Sequence, residues 1–302
     1  MTWSHNSTLA TRPIPARFPS PAPAPLTPLV PSELCHTARM SPPPPGPPEP
    51  VLPYLEAGQP GRPALLFLHG GGLSSRQWAP QLEQLAQDFH CLAPDLPEQG
   101  RSAHVRPFTL EGSARAVSEL VRTRVPSGRA HVVGLSLGGA VGLTLLRTAP
   151  EQVESLLVSG TASGLGRVLG TVSLWSAGLY RLMSPERLAA LSARQFGIPE
   201  EFAEAFREDL ARGATADFTR SFTRALMGLR LPLEARVPLL VAVGEHETWA
   251  AHRAARVLAR KLPGARAVTV PGVGHVWNLQ APALFSAMVR AWVRGEALPI
   301  SD

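Results

Sequence analysis

The sequence has few cysteines, almost no lysine and no long apolar run, and each shortage excludes a class of protein. Its 302 residues include two cysteines, Cys35 and Cys91, too few for a disulfide framework. Neither lies beside a cluster of metal-type ligands, so no metal site is expected. No apolar run approaches the length of a membrane span, and the N-terminus lacks the pattern of a signal peptide. We therefore expect a soluble, cytoplasmic protein.

Lys261 is the single lysine, so nearly all of the positive charge behind the net charge of +6 is arginine. The arginines are scattered, and Arg253, Arg256 and Arg260 have the spacing to share a helix face. A solvated face is favoured there over an anion-binding patch, because charge runs usually mark exposed faces. No nucleic-acid-binding motif accompanies them. We expect a small-molecule substrate as the partner, with no nucleic acid and no membrane; the sequence makes no prediction of oligomeric state.

Proline is concentrated at the start of the chain, where residues 1–50 hold 15 of the 32 prolines. Such a segment cannot form helices or sheet ladders and has little apolar surface to bury, which predicts a disordered tail over 1–50. Residues 51–160 and 234–296 are predicted to form the folded core, residues 161–233 a helical insertion, and residues 297–302 a short tail.

The core alternates short apolar runs with helical patterns. Ala64–Leu68 and Val153–Ser159 are continuous apolar runs, typical of strands buried on both faces. Residues 161–233 show helical patterns alone. This order predicts an α/β fold, with a mostly parallel sheet, helices on both of its faces and a helical cap insertion.

One serine lies between glycines, in the stretch Gly134-Leu135-Ser136-Leu137-Gly138-Gly139. An apolar run precedes the stretch and a small-residue run follows it, which is the strand, turn and helix order of a nucleophile elbow. The turn would expose the serine hydroxyl at the carboxyl end of the strand. The N–H of Leu137 would lie at a helix N-terminus, which favours a negative oxygen. Ser136 is the candidate nucleophile, and a tight structural turn is the alternative.

A serine nucleophile needs a general base, and the base needs a carboxylate to fix its tautomer. His275 follows the last predicted strand in a glycine-rich loop, so we expect it at the same edge of the sheet as Ser136. Glu245 and Glu247 both follow the strand that ends at Val243. Their spacing leaves either glutamate as the acid.

A tetrahedral intermediate also needs a second N–H donor besides Leu137. The glycines 70–72 follow the strand Ala64–Leu68, and glycine lets the backbone approach a substrate closely. A plain glycine turn is the alternative.

Together, these stretches resemble the α/β-hydrolase superfamily, in particular its serine-nucleophile members with a helical cap. The resemblance covers about residues 51–296 and depends on motifs in the same order, at 68–72, 93–97, 100–102, 134–139, 239–245 and 274–275. It implies a triad of Ser136, an acid and His275, an oxyanion hole formed by the N–H groups of Gly71 and Leu137, and no metal or organic cofactor.

The resemblance also assigns the acid. Family members usually carry an aspartate three residues after the glycine that ends the strand, and this chain has Glu247 there. Glutamate is one methylene longer, so the loop must retract to keep the hydrogen bond. Asp95 matches an aspartate that is structural in the family.

The expected function is hydrolysis of a small or medium apolar ester-type substrate through a Ser-Glu-His triad and an acyl-enzyme. The apolar residues of the insertion favour an apolar cleft. Gly72 and Trp277 are the candidate substrate-binding residues, with core packing as the alternative for Trp277. The alternative functions are hydrolysis of a C–C bond or an amide by the same fold, and ligand binding without catalysis.

Overall fold

The computed structural model describes residues 51–166, 184–232, 237–262 and 264–300. The predicted tail over 1–50 and residues 167–183 of the predicted insertion lie outside the described residues. Among the described residues, no helix is both long enough and apolar enough to cross a membrane.

The strands alternate with helices through most of the chain. The strands are β1 (Tyr54–Ala57), β2 (Ala64–Leu68), β3 (His90–Pro94), β4 (Ala130–Leu135), β5 (Val153–Ser159), β6 (Leu239–Gly244) and β7 (Ala265–Val270). The helices are α1 (Ala79–Leu85), α2 (Leu110–Arg124), α3 (Leu137–Thr148), α4 (Pro185–Gln195), α5 (Glu200–Gly213), α6 (Ala216–Met227), α7 (Trp249–Lys261), α8 (Trp277–Gln280) and α9 (Pro282–Arg294).

The strands of the described residues form one seven-stranded sheet in the order β1-β3-β2-β4-β5-β6-β7. Only β1 is antiparallel to its neighbour, β3; the other pairs are parallel. Parallel strands that share one register bring their carboxyl ends to one edge, and this sheet pairs Leu68 with Gly134, and Ser159 with both Leu135 and Ala242. The loops after β2, β4, β5 and β6 therefore meet at that edge, where ligands bind in open α/β sheets.

Both faces of the sheet are buried, which confirms the predicted α/β fold. In β2, Leu66 and Leu68 face one apolar cluster with α2, α3 and α7, while Leu65 and Phe67 face a second with α1 and α9. This division follows from the strand period of two, since alternate side chains point to opposite faces. A strand with helices on both sides must be apolar at every position, and all five residues of β2 are buried.

The helices α4, α5 and α6 lie between β5 and β6 in the chain, as predicted for the insertion. A third apolar cluster joins α4 and α5 to the loops at the sheet edge, through Leu73, Val276 and Leu279. Polar contacts reinforce this junction, because Arg76 after β2 forms ion pairs with Glu208 and Asp209 of α5. The insertion is thereby fixed over the carboxyl edge of the sheet.

We expect the centre of β5 to be among the most sensitive positions of the fold. Leu156 is fully buried and pairs with Val132 on one side and Leu239 on the other. Leu156→Ala should lower the free energy of unfolding by about 2–5 kcal/mol, because it removes buried methyl groups and leaves a cavity. Leu191 on α4 is 54% exposed, so Leu191→Ala should change it by about 0.5 kcal/mol or less. Urea unfolding followed by circular dichroism measures both; equal losses would contradict this description of the core.

Candidate active site

Ser136 occupies the turn between β4 and α3 in a strained backbone conformation. Its φ is +55°, in the left-handed region that residues with side chains rarely adopt. The turn is held because the N–H of Ser136 donates to the carbonyl of Ser159 at 2.8 Å. It also needs a glycine at position 138, where a Cβ atom would lie 2.0 Å from the carbonyl oxygen of Leu68. The hydroxyl-bearing residue is consequently held at the carboxyl edge of the sheet and is only half-buried.

His275 and Glu247 form a direct contact, with Nδ1 of the imidazole 2.7 Å from Oε2 of the carboxylate. Because a carboxylate can only accept, Nδ1 carries the proton and Nε2 is left to act as a base. The second carboxylate oxygen accepts the N–H of Gly244 at 3.1 Å. The Glu247 side chain is 3% exposed and that of His275 is 25% exposed, so the carboxylate is buried behind an imidazole that reaches the surface.

Glu245 lies on the same turn but has a different partner. Its carboxylate accepts the N–H of Gly272 at 2.7 Å, and the residue is exposed. Of the two glutamates that spacing alone left open, the structure therefore brings Glu247 to His275 and directs Glu245 to the loop before it.

Gly160, which the sequence reasoning missed, lies against both members of this pair. A Cβ atom at this position would lie 2.7 Å from the His275 ring and 3.2 Å from Oε2 of Glu247, and the φ of Gly160 is +58°. The N–H of Ser136 bonds to the carbonyl of Ser159, and the ring of His275 packs on Gly160, so the end of β5 contacts both the serine and the histidine. The only sequence signal was a glycine directly after a buried strand.

Two residues connect the histidine loop to the insertion. Phe196, just after α4, packs on the His275 ring with centroids 5.6 Å apart. Gln280 of α8 accepts the N–H of Gly274 at 2.7 Å and donates to the carbonyl of Phe196. The histidine is thus held from its own loop and from the insertion together. The sequence could not reveal the contacts of Phe196 with His275 and with Gln280, because these partners are 79 and 84 residues apart.

The loop after β2 leaves one of its N–H groups without an acceptor. The N–H of Gly70 donates to Gln77 at 2.9 Å, and that of Gly72 donates to Gln99 at 2.6 Å. Among the described residues, the N–H of Gly71 has no acceptor. The neighbouring groups are therefore used to fix the loop, while the N–H of Gly71 stays available for a ligand.

The second free donor is the N–H of Leu137, at the first position of α3, where a helix offers no internal acceptor. The two segments are in contact, since a Cβ atom on Gly71 would lie 3.8 Å from Cβ of Leu137. Two free N–H groups on adjoining backbone, one of them at a helix N-terminus, can stabilise a negative oxygen.

His69 and Asp95 fix the base of this loop. Nδ1 of His69 donates to the carbonyl of Gly70, and Nε2 accepts the N–H of Leu96, both at 2.9 Å. Burial lowers the pKa of His69, which keeps the ring neutral. Burial alone would raise the pKa of the Asp95 carboxyl. The hydrogen bonds that it accepts from Ser75 and Arg101 outweigh this effect, and the pKa is lowered. Asp95 is therefore part of the scaffold behind the loop.

Trp277 and Gly72, the two candidate substrate contacts, are both buried. Trp277 is fully buried, its indole N–H donates to the Ser159 hydroxyl at 2.7 Å, and its ring packs on Phe285 with centroids 4.3 Å apart. Gly72 is buried against α5, where a Cβ atom would lie 2.9 Å from the Leu210 side chain. Neither residue exposes a surface in this structure, and Trp277 packs in the core, which is the alternative that the sequence left open for it.

A cavity of about 840 Å³ adjoins the histidine and the acid. The loops after β5, β6 and β7, the end of α4 and the start of α7 surround it. Its lining includes Gly160, Arg194, Phe196, Glu247, Trp249, Arg253, His275 and Gln280.

Among the described residues, no group of three His, Cys, Asp or Glu side chains could hold a metal ion.

Comparison with known proteins agrees with this architecture. Residues 65–288 match the Alpha/beta hydrolase family. The chain is 30% identical to a pimeloyl-[acyl-carrier protein] methyl ester esterase of Nitrosomonas europaea, over 74% of this chain and 92% of that protein. It is 26% identical to an AB hydrolase superfamily protein of Gibberella zeae, over 82% and 85% of the two chains. The crystal structure of a hydrolase from Pseudomonas aeruginosa superposes with a TM-score of 0.67 at 27% identity, over 80% of this chain and 94% of that one.

The buried, neutral His69 predicts how stability depends on pH. Because its pKa is lowered in the folded state, the unfolded chain binds a proton near pH 6.5 that the folded chain does not. Folding stability should therefore fall as pH drops below about 6.5, by up to about 1.4 kcal/mol per pH unit from this group.

The variant His69→Gln isolates this contribution, because an amide can donate and accept but does not titrate. Urea unfolding between pH 5 and 8 should show that the free energy of unfolding falls less steeply toward acid pH in the variant. Part of the pH dependence should remain, because burial also lowers the pKa of His131. Identical slopes in the two proteins would show that His69 is not the group responsible.

Proposed function

From the premise that this chain belongs to the alpha/beta hydrolase family, we propose that it is a serine hydrolase of esters with a small or medium apolar acyl group. Ser136 is the nucleophile, His275 the general base and Glu247 the acid. The observation that carries the proposal is the 2.7 Å contact between His275 Nδ1 and a Glu247 carboxylate that is 3% exposed. Such a pair leaves Nε2 of the histidine free to take a proton from a serine.

Acylation begins when Oγ of Ser136 attacks the ester carbonyl and its proton passes to Nε2 of His275. The N–H groups of Gly71 and Leu137 stabilise the oxyanion of the tetrahedral intermediate, and Glu247 stabilises the imidazolium. The intermediate collapses when the C–O bond to the alcohol breaks and His275 returns the proton to the leaving oxygen. The products of this half-reaction are the free alcohol and an acyl group on Ser136.

Deacylation repeats these steps with water as the nucleophile. His275 takes a proton from the water, the resulting hydroxide attacks the acyl carbonyl, and the same two N–H groups bind the oxyanion. Collapse breaks the bond to Oγ, and the proton on His275 passes to Ser136. The carboxylic acid leaves, and the site returns to its starting state.

Ester hydrolysis is favoured over the alternatives for two reasons. The relative from Nitrosomonas europaea is named as a methyl ester esterase, and an alkoxide leaves more readily than the anion of an amine or a carbanion. Cleavage of amides or C–C bonds by the same residues is tested by offering the protein amides and C–C bond substrates beside the esters. A protein that only binds ligands would hydrolyse none of them.

The two glutamates provide a matched test of the acid. Glu247→Gln should lower kcat/KM for p-nitrophenyl butyrate by roughly 10³–10⁴-fold, because the amide no longer stabilises the imidazolium and no longer fixes the tautomer. Glu245→Gln changes the same functional group two residues away, where the carboxylate contacts Gly272, so it should leave kcat/KM within about twofold. Steady-state kinetics of both variants and of Ser136→Ala measure this.

Labelling with a fluorophosphonate accompanies the kinetics. Wild type should be labelled and Ser136→Ala should not. Equal residual rates in wild type, Ser136→Ala and Glu247→Gln would contradict the proposal, as would a larger loss in Glu245→Gln than in Glu247→Gln.

Gly160 provides a second, independent test. Gly160→Ala should lower kcat by about 100-fold, because the added methyl group must displace the His275 ring or the Glu247 carboxylate, and small misplacements of catalytic groups are costly. Gly128→Ala is the control, since Gly128 has a similar φ of +67° but no atom within 4 Å of its Cβ position. Both variants carry the same kind of backbone strain, so equal losses of activity would show that strain, and not displacement of the pair, is responsible.

A further inference from the structure

The 840 Å³ cavity beside His275 is lined by positively charged side chains. Arg194 lies at the end of α4, and Arg253 lies in the second turn of α7. Among the described residues, neither guanidinium has a carboxylate partner. The one carboxylate in the lining, Glu247, is already bonded to His275 and Gly244. Within the described part of the chain, the charges of both arginines are therefore left without a carboxylate partner.

The start of α7 adds to this charge. Thr248 caps the helix by accepting the N–H of Ala251, so the N–H groups of Trp249 and Ala250 remain as donors at the rim of the cavity. The partial positive charge of a helix N-terminus favours an anion at the same place. The helix terminus and the two arginines thus both favour the binding of an anion in the cavity.

Trp249 gives the cavity an apolar surface beside these charges. It is 72% exposed, although a tryptophan on a protein surface normally buries much of its ring. The guanidinium of Arg253 lies 5.8 Å from the ring centroid, which holds both side chains at the cavity. A ligand with an apolar chain and an anionic end would cover the ring and pair with the arginines.

The chemistry of the proposed reaction decides which part of an ester enters this cavity. His275 must reach the leaving oxygen to return its proton, so the alcohol part of the ester passes beside the histidine. The described lining contains His275 but not Ser136 or the loop of Gly71, so the cavity extends from the histidine away from the two free N–H groups.

We infer that the cavity between α4 and α7 binds the alcohol part of an ester that ends in an anionic group, a carboxylate or a phosphate, held by Arg194 and Arg253. This inference rests on the proposed function and names the substrate class for the same site. It also separates Arg253 from Arg256, because the lining contains Arg253 and not Arg256, although the sequence favoured one solvated face for both.

The test compares acetate esters of ω-hydroxycarboxylic acids with the matching esters of ω-hydroxycarboxamides, over chains of four to eight carbons. Acetate release by wild type should give a kcat/KM about tenfold higher for the carboxylate than for the carboxamide at the best chain length, the scale of one hydrogen-bonded charge contact. The preference should shrink as salt is added. A third series ending in phosphate identifies which anion is preferred.

Arg253→Gln and Arg194→Gln should each bring the ratio of carboxylate to carboxamide closer to one, whereas Arg253→Lys should keep most of it, which separates charge from packing on Trp249. Arg256→Gln is the matched control, one turn along α7, and should leave the ratio unchanged. A ratio near one in wild type, or a ratio that Arg256→Gln lowers as much as Arg253→Gln, overturns the inference. Cleavage of the carboxamide esters without any preference would overturn this inference alone; failure to cleave either series, together with no labelling of Ser136, would overturn the proposed function as well.

Discussion

The close approach of α3 to the end of β2 is the constraint on which the site depends. Backbone comes so near at Gly138 that a Cβ atom would lie 2.0 Å from the Leu68 carbonyl, so only glycine allows the turn to close. Closing the turn forces Ser136 to a φ of +55° and directs the first N–H of α3 toward the loop that contains Gly71. A strained residue persists only where its surroundings determine its conformation, and here a buried parallel sheet does so.

A second close approach holds the acid and the base together. A Cβ atom at Gly244 would lie 2.5 Å from the carbonyl of Gly274, and the N–H of His246 donates to the carbonyl of Val273 at 2.9 Å. These backbone contacts hold the loop after β6 against the loop after β7 without any contribution from side chains. They explain how a glutamate can occupy a position where an aspartate is usual in the family: the longer side chain is buried, and its second oxygen is satisfied by the N–H of Gly244.

The fold could be predicted from the sequence because several of its central strands are continuous apolar runs, as in β2; the predicted bounds of β5 are those observed, Val153–Ser159. The site could be predicted only in part. Glu245 and Glu247 could not be separated, because both follow the same strand and only tertiary contacts distinguish them. Trp277, a candidate for substrate binding with core packing as the alternative, packs in the core because the four-residue helix α8, which no sequence signal announced, turns its ring there. The contacts of Phe196 and Gln280 with the histidine loop depend on how the insertion folds back, which local sequence patterns do not encode.

The most direct measurement is a crystal structure of the protein after reaction with a small alkyl fluorophosphonate. The account predicts a covalent bond between phosphorus and Oγ of Ser136. It also predicts one phosphonyl oxygen within hydrogen-bond distance of the N–H groups of both Gly71 and Leu137, and His275 still bonded to Glu247. Absence of the adduct, an adduct on another residue, or a phosphonyl oxygen that contacts neither N–H would contradict it.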